Sequence, residues 1–403
     1  MLGLTSVCVF LFSALALAVN SGYSLGALVL LLASSWLLWK RPSLALQRRD
    51  YLLISVLLTY FLIFTANMLY HGDPPREFDM PLRALLAVPV LLLLLAYPPR
   101  PTFWWAGLSL GAIAGAAYAL TEFVPDSLIR PQAATSNPIH YGNVSMLLGM
   151  LALCGLDWAR TQAHRYAWSG LLLAGCLAGI VGSVISGSRG GWLALPVCLI
   201  IMALHHAKNH GRRHLAVTMT LLFVLLSLAY AMPHSPVQQR VATVISELQK
   251  YKNDGDVSTS VGQRLVMWDT ATELVKEHLW LGMGRTGYLQ QKKVMLAEGE
   301  ISKLVSDYTN AHSDYLDVLV KRGITGLLAL LALLLLPLAL FARALRHDAA
   351  PAHPYALAGV VLCTCYMIFG LTTSSLTLNI GIIMLVFPMV ILWSMLRQQE
   401  RIS

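Results

Sequence analysis

The sequence predicts an all-α polytopic membrane protein with about twelve transmembrane helices and one folded, helical loop on its outer side. Three observations predict it. Of 403 residues, 57% are hydrophobic and only 12% are charged, against about 25% charged in an ordinary soluble domain. The apolar residues gather in runs close to the ~20 residues a helix needs to cross a bilayer, and in lipid such runs must be helical, because isolated strands leave their backbone groups unsatisfied. A single polar stretch, 233–322, breaks the pattern with eleven basic and eleven acidic residues.

In chain order the runs fall near 4–19, 23–39, 51–70, 82–97, 103–121, 141–157, 167–186, 191–206 and 214–232, then near 323–342, 354–374 and 377–396. The first resembles a secretory signal, with Ala14, Ala16 and Ala18 as small cleavage-site residues. No Lys or Arg precedes Lys40, however, and a signal peptide needs a basic start; it is therefore read as a span. The chain thus divides into transmembrane helices one to nine (1–232), a loop subdomain (233–322) and helices ten to twelve (323–403).

Basic residues in short loops set orientation. With the N-terminus inside, the cytoplasmic loops hold Lys40, Arg41, Arg48, Arg49, Arg100, Arg160, Arg165, Lys208, Arg212, Arg213, Arg343, Arg346, Arg397 and Arg401, against Arg76, Arg83, Arg130 and Arg189 on the other side. Both termini are therefore expected in the cytoplasm and the long loop outside. The net charge of +9 reflects these topology signals, and no nucleic-acid partner is expected. All six cysteines lie inside apolar runs, where small buried hydrophobes belong, so no disulfide framework is proposed.

Within the loop, RLVMWDTATELVKEHL from Arg264 places Leu265, Trp268, Thr272, Val275 and Leu279 on one helical face, with Ser258, Thr259 and Ser260 as N-cap candidates. There follows LGMGRTGY, in which Gly282, Gly284 and Gly287 satisfy G-x-G-x-x-G. It follows a helix and no βαβ unit surrounds it, so a dinucleotide is rejected. What survives is a glycine turn whose N–H groups can face an anion, with Arg285 in its middle; a helix end with a solvated arginine is the plainer alternative.

In YTNAHSDYLDVLVKRGITG, Leu316, Leu319 and Val320 form an apolar stripe, and Gly323 stops the helix before the next span. His312 lies about one turn before Leu316, at the membrane rim. A neutral imidazole suits a general base, and Asp314 or Asp317 is available to orient it. The plainer reading is an interfacial histidine with no task.

SVISGSRGGWLAL sets Arg189 among Ser186, Gly187, Ser188, Gly190 and Gly191 between two spans. An arginine at the rim of a membrane is costly unless it is paired or wetted, and its planar fork grips phosphate oxygens in pairs. Gly187 and Gly191 also form a small-xxx-small pair that lets helices approach. Weaker candidates for substrate contact are Asn137 and His140, in the turn SNPIHYGN, and Trp268. Asp254 and Asp256 form D-x-D but read better as a solvated Asn-Asp-Gly turn, and no HExxH, CxxC pair, Walker A or GxSxG is present.

Together, Arg189, Arg264, Arg285 and His312 suit a membrane-presented diphosphate. Guanidinium groups neutralise a leaving pyrophosphate while the histidine activates an incoming hydroxyl. Outside the cytoplasm no ATP is supplied, so an activated glycan would arrive on a lipid. SGSRGGW at Arg189, GQRLVMW at Arg264, LGMGRTGY at Arg285 and HSDYLDVLVKRG at His312 resemble, in order and spacing, the superfamily of O-antigen ligases, O-antigen polymerases and bacterial O-oligosaccharyltransferases. One departure is that relatives often carry a proline before the G-x-G turn, where this chain has Leu279 and Trp280.

The resemblance implies a GT-C-like membrane glycosyltransferase, catalytic roles for His312, Arg189, Arg264 and Arg285, and no metal or other cofactor. Superfamily members differ mainly in acceptor, and the chain looks most like the ligase. The expectation is inverting transfer of O-antigen polysaccharide from undecaprenyl diphosphate to a terminal sugar of lipid A-core, in lipopolysaccharide biosynthesis at the inner membrane of a Gram-negative bacterium, with a periplasmic active site. An O-antigen polymerase or a protein O-oligosaccharyltransferase is the alternative. From another class, a lipid-linked sugar transporter would usually place its charges at the bilayer midplane.

Overall fold

The structure, a computed structural model, describes residues 1–124, 130–210, 219–220, 227, 236–347 and 349–402. Among these residues the helices are α1 (Leu2–Ala14), α2 (Gly22–Ser34), α3 (Trp36–Lys40), α4 (Arg48–His71), α5 (Asp79–Ala96), α6 (Pro101–Glu122), α7 (Pro138–Cys154), α8 (Leu156–Arg160), α9 (Arg165–Ser186) and α10 (Arg189–His210). After them come α11 (Pro236–Asp254), α12 (Ser260–Glu277), α13 (Gly284–Ala297), α14 (Lys303–Asp307), α15 (Asp314–His347), α16 (His353–Thr372) and α17 (Asn379–Ile402). No strand occurs among the described residues.

Ten helical stretches among the described residues are long and apolar enough to span a bilayer, and they coincide with ten of the twelve expected runs. The expected span at 214–232 lies, apart from 219–220 and 227, outside the described residues. The expected span at 4–19 is corrected in length: α1 has 13 residues, about 20 Å at ~1.5 Å per residue, short of a ~30 Å hydrocarbon core. The turn formers Asn20, Ser21 and Gly22 close the segment. It nonetheless belongs to the bundle, because Val9, Phe12 and Leu17 are fully buried.

At the centre stand α7, α16 and α17, enclosed on nearly all sides, with Trp393, Tyr141 and Tyr355 fully buried. Leu28 and Leu32 on α2, Leu62 on α4 and Leu177 on α9 are exposed, as faces turned to acyl chains would be. At one end of the bundle the Asp50 carboxylate accepts from Arg397 at 3.0 Å and from the Trp393 indole at 2.8 Å, pinning α4 to α17.

At the other end, the turns at 72–78, 130–137, 187–188 and 373–378 meet α11–α14 and the start of α15. Small apolar clusters hold these loop helices together, one around Ala271, Leu274, Tyr288 and Val320, another around Met267, Ile301 and Val305. Thr259 caps α12, accepting from the Gly262 N–H at 3.1 Å. The buried stripe of α12 runs through Met267, Thr270, Ala271, Leu274 and Val275, while Thr272 and Leu279 are exposed. The expected face is therefore rotated, because the partners at Tyr288, Ile301 and Val305 are set by tertiary packing that periodicity does not reveal.

Gly323 interrupts α15 with φ 65° and ψ −165°. A Cβ there would overlap the Trp280 carbonyl, and one on Gly282 (φ 66°) would strike the Lys321–Arg322 peptide. The two glycines let the 279–283 loop lie against the break, where Ile324 N–H donates to Leu279 O at 2.8 Å and Met283 N–H to Val320 O at 3.0 Å.

Candidate functional site

Gly187, left-handed at φ 64°, ends α9, and the chain reverses through Ser188 to begin α10 at Arg189. The reversal carries Arg189 to the loop end of the bundle. Arg264 comes from the second turn of α12, and Arg130 is held by its Nε donating to Ser186 O at 2.6 Å. The three guanidinium groups line one cleft of about 50 Å³ together with Ile139, Thr372 and Thr373. Glu247 of α11 approaches from outside, with its carboxylate 3.7 Å from Arg189 Nη2.

His312 precedes α15 at φ 50°, a conformation uncommon outside glycine and costly unless its surroundings fix it. Six hydrogen bonds do so. Lys292 Nζ donates to Tyr308 O at 2.6 Å, Lys321 Nζ to Thr309 O at 2.9 Å and Trp268 Nε1 to Ala311 O at 3.0 Å. Ala311 N–H donates to Asp317 Oδ1 at 3.0 Å, His312 N–H to Asn310 Oδ1 at 3.1 Å and Ser313 Oγ to Gly370 O at 3.1 Å. The imidazole stands edge-on to Tyr308 with ring centres 5.0 Å apart, and among the described residues its buried Nδ1 has no hydrogen-bond partner.

Burial and the positive charge of Arg264 push His312 down to about 4, so its ring is neutral at neutral pH. The expectation that Asp314 or Asp317 orients the ring is corrected. Asp317 is taken by Lys321 at 2.7 Å and by the Ala311 N–H, and Asp314 accepts the Leu376 N–H at 3.0 Å. Asp317 is thus spent on a lysine and the loop backbone, and Asp314 on the backbone of the turn before α17.

Arg285 lies elsewhere. It opens α13, and its N–H and that of Thr286 donate to Asp73 at 2.9 and 3.1 Å. The glycine turn therefore does face an anion, but the anion is the chain's own Asp73. Arg322 Nη1 meets the same carboxylate at 2.6 Å. Burial alone would raise Asp73, yet the Thr286 N–H and the Arg322 guanidinium outweigh it and hold the carboxyl below its ordinary range. The Arg285 side chain pairs with Glu77 and lines a separate cavity of about 260 Å³ with Tyr60, Asn310, Asp314 and Lys321. The structure thus gathers Arg189 with Arg264, sets His312 within reach of the Arg264 charge, and places Arg285 in a separate cavity.

Of the weaker candidates, Asn137 caps α7 by accepting the Ile139 N–H at 2.8 Å. His140 is buried, near enough to His312 to feel its charge. Trp268 spends its indole N–H on Ala311. Asp256 accepts from the Ser258 N–H and hydroxyl at 2.8 and 2.6 Å, a turn-forming role. Among the described residues no three His, Cys, Asp or Glu side chains stand close enough to share a metal. Sequence reasoning missed Arg130, Asp73, Lys292 and the turn Thr372–Ser375, none of which lies in a motif.

These positions can be set beside known proteins. Residues 174–331 match the O-antigen ligase family. The matched stretch contains Arg189, Arg264, Arg285 and His312, and it bears out the resemblance to the O-antigen ligase superfamily. Members of that family are glycosyltransferase-like enzymes of the ligase or polymerase kind that act on lipid-linked glycans. The chain is also 24% identical over 379 residues to an uncharacterized protein of Haemophilus influenzae, the alignment covering 93% of this chain and 94% of the relative.

Proposed function

We propose that the protein is an O-antigen ligase that moves O-antigen polysaccharide from undecaprenyl diphosphate to a terminal sugar of lipid A-core, at the periplasmic face of a bacterial inner membrane. The observation that carries the reading is the cleft in which Arg189 and Arg264 stand with Arg130, next to a loop that holds His312 neutral. Three cations in one small cleft call for an acceptor-only ligand of high charge, and a diphosphate is the leaving group that such a cleft stabilises.

In this mechanism the diphosphate enters the cleft and displaces Glu247 from Arg189. Its negative charge offsets Arg264, which raises the affinity of His312 for a proton. The acceptor hydroxyl approaches from the side of Asn310 and Arg285, and His312 takes its proton as the oxygen attacks the anomeric carbon. The glycosidic bond to the diphosphate breaks in the same displacement, inverting that carbon, and undecaprenyl diphosphate leaves with the electron pair.

Purified protein in lipid, given lipid-linked O-antigen and lipid A-core, is expected to join them, and His312→Ala to abolish joining. Retained transfer by the variant removes the histidine from the chemistry. Chain growth from lipid-linked repeat units alone, without core acceptor, identifies a polymerase instead. Activity abolished by a chelator overturns the metal-independent part of the proposal.

A further inference from the structure

The turn between α16 and α17 contains Thr373, Ser374 and Ser375, each 3% exposed, and among the described residues none of their three hydroxyls has a hydrogen-bond partner. Buried hydroxyls are nearly always paired, and an unpaired one forfeits its hydration for nothing. Elsewhere in this bundle serine and threonine return to a carbonyl three or four residues back, as Ser6 does to Leu2 at 2.6 Å and Ser394 to Ile391 at 2.7 Å. Thr373 is extended (φ −150°), and Phe369 O is taken by its backbone N–H.

The acceptor packed against the turn is already occupied. Asp314 accepts the backbone N–H groups of Leu376 and Ser375, and Ser313 fastens Gly370. The turn is therefore fixed through its backbone by the two residues after His312, while its hydroxyls stay unused. Thr373 lines the arginine cleft. Beside Gly190 in the same wall stands Asn143, whose buried Nδ2 also has no partner among the described residues.

We propose that the Thr373 hydroxyl and the Asn143 Nδ2 form a neutral oxyanion cradle, which donates to the non-bridging oxygens of a diphosphate seated against Arg130, Arg189 and Arg264. This rests on the diphosphate reading above. Guanidinium groups and the amide Nδ2 only donate, so a ligand that meets them must present acceptors at close spacing. Neutral donors supply hydrogen bonds on the bundle side of the cleft, where a further cation would be costly.

The test uses the full chain in lipid nanodiscs, titrated with inorganic pyrophosphate by calorimetry and melted without ligand. Thr373→Val is expected to weaken pyrophosphate binding roughly tenfold, while the unliganded melting temperature stays level or rises, because an unpaired hydroxyl has been replaced by an apolar group. Thr373→Ser, which keeps the hydroxyl, is expected to bind as wild type does. Wild-type affinity in Thr373→Val overturns the cradle and leaves the diphosphate reading standing, and so does a lowered melting temperature with unchanged binding. Failure of the wild-type protein to bind pyrophosphate overturns both.

Discussion

The indole N–H of Trp268 donates to the carbonyl of Ala311 at 3.0 Å, so a loop helix grips the backbone one residue before His312. Trp268→Phe keeps an aromatic ring and deletes this bond, worth about 1 kcal/mol. The expected result is a roughly fivefold fall in kcat with KM little changed, read by steady-state kinetics of transfer. A rise in KM at constant kcat would place Trp268 against substrate instead.

His312 is held at about 4 by burial and by Arg264. Arg264→Gln removes the second cause and is expected to raise the value, short of the ordinary ~6.5; pyrophosphate in the cleft acts in the same direction. Histidine NMR titration checks both, and a wild-type His312 titrating near 6.5 without ligand contradicts them. The unfolded chain binds this proton more readily, so the group's contribution to stability declines as pH falls from about 6.5 towards 4.

Asp73 joins three segments, accepting from Arg285 N–H, Thr286 N–H and Arg322. Asp73→Asn leaves the Arg322 guanidinium buried with neutral acceptors alone, Asn67 at 3.1 Å among them, and is expected to cost about 3–5 kcal/mol. Thermal melts in detergent measure it. Its carboxyl sits below the ordinary range, so its stabilisation is complete above the unfolded value of about 3.9 and disappears as pH falls through the lower folded value.

Arg189→Lys preserves charge and removes the fork, and is expected to lose roughly tenfold or more in transfer rate. Glu247→Gln takes a competing carboxylate from the cleft and is expected to tighten pyrophosphate binding several-fold. Equal affinity in wild type and Glu247→Gln would show that α11 does not guard the arginines.

Gly323→Ala places a Cβ against the Trp280 carbonyl at a positive φ. Loss of about 2 kcal/mol or more is expected from strain and overlap together, visible as a lower melting temperature and a 279–283 loop newly open to protease.

Much of the bundle was legible because a bilayer demands long apolar runs, a strong and local signal. Gly323 was legible as a helix stop for the same reason, since a glycine between Arg322 and the next apolar run has few other uses. The partners of the site were not. Arg285 looked ready for phosphate, but its side chain meets Glu77 and its N–H meets Asp73, more than two hundred residues away, and no spacing rule reaches that far. Thr373–Ser375 escaped notice because hydroxyl residues at span ends are ordinary; only their burial without partners sets them apart.

The rod from Asp314 to His347 spans the membrane beyond its break at Gly323 and, before it, supplies Asp317 and Lys321 to the loop bearing His312. Bilayer thickness, which bears on how far such a helix tilts, is therefore expected to reach the posture of the imidazole, and the protein embedded in thin and thick lipids is expected to transfer at different rates.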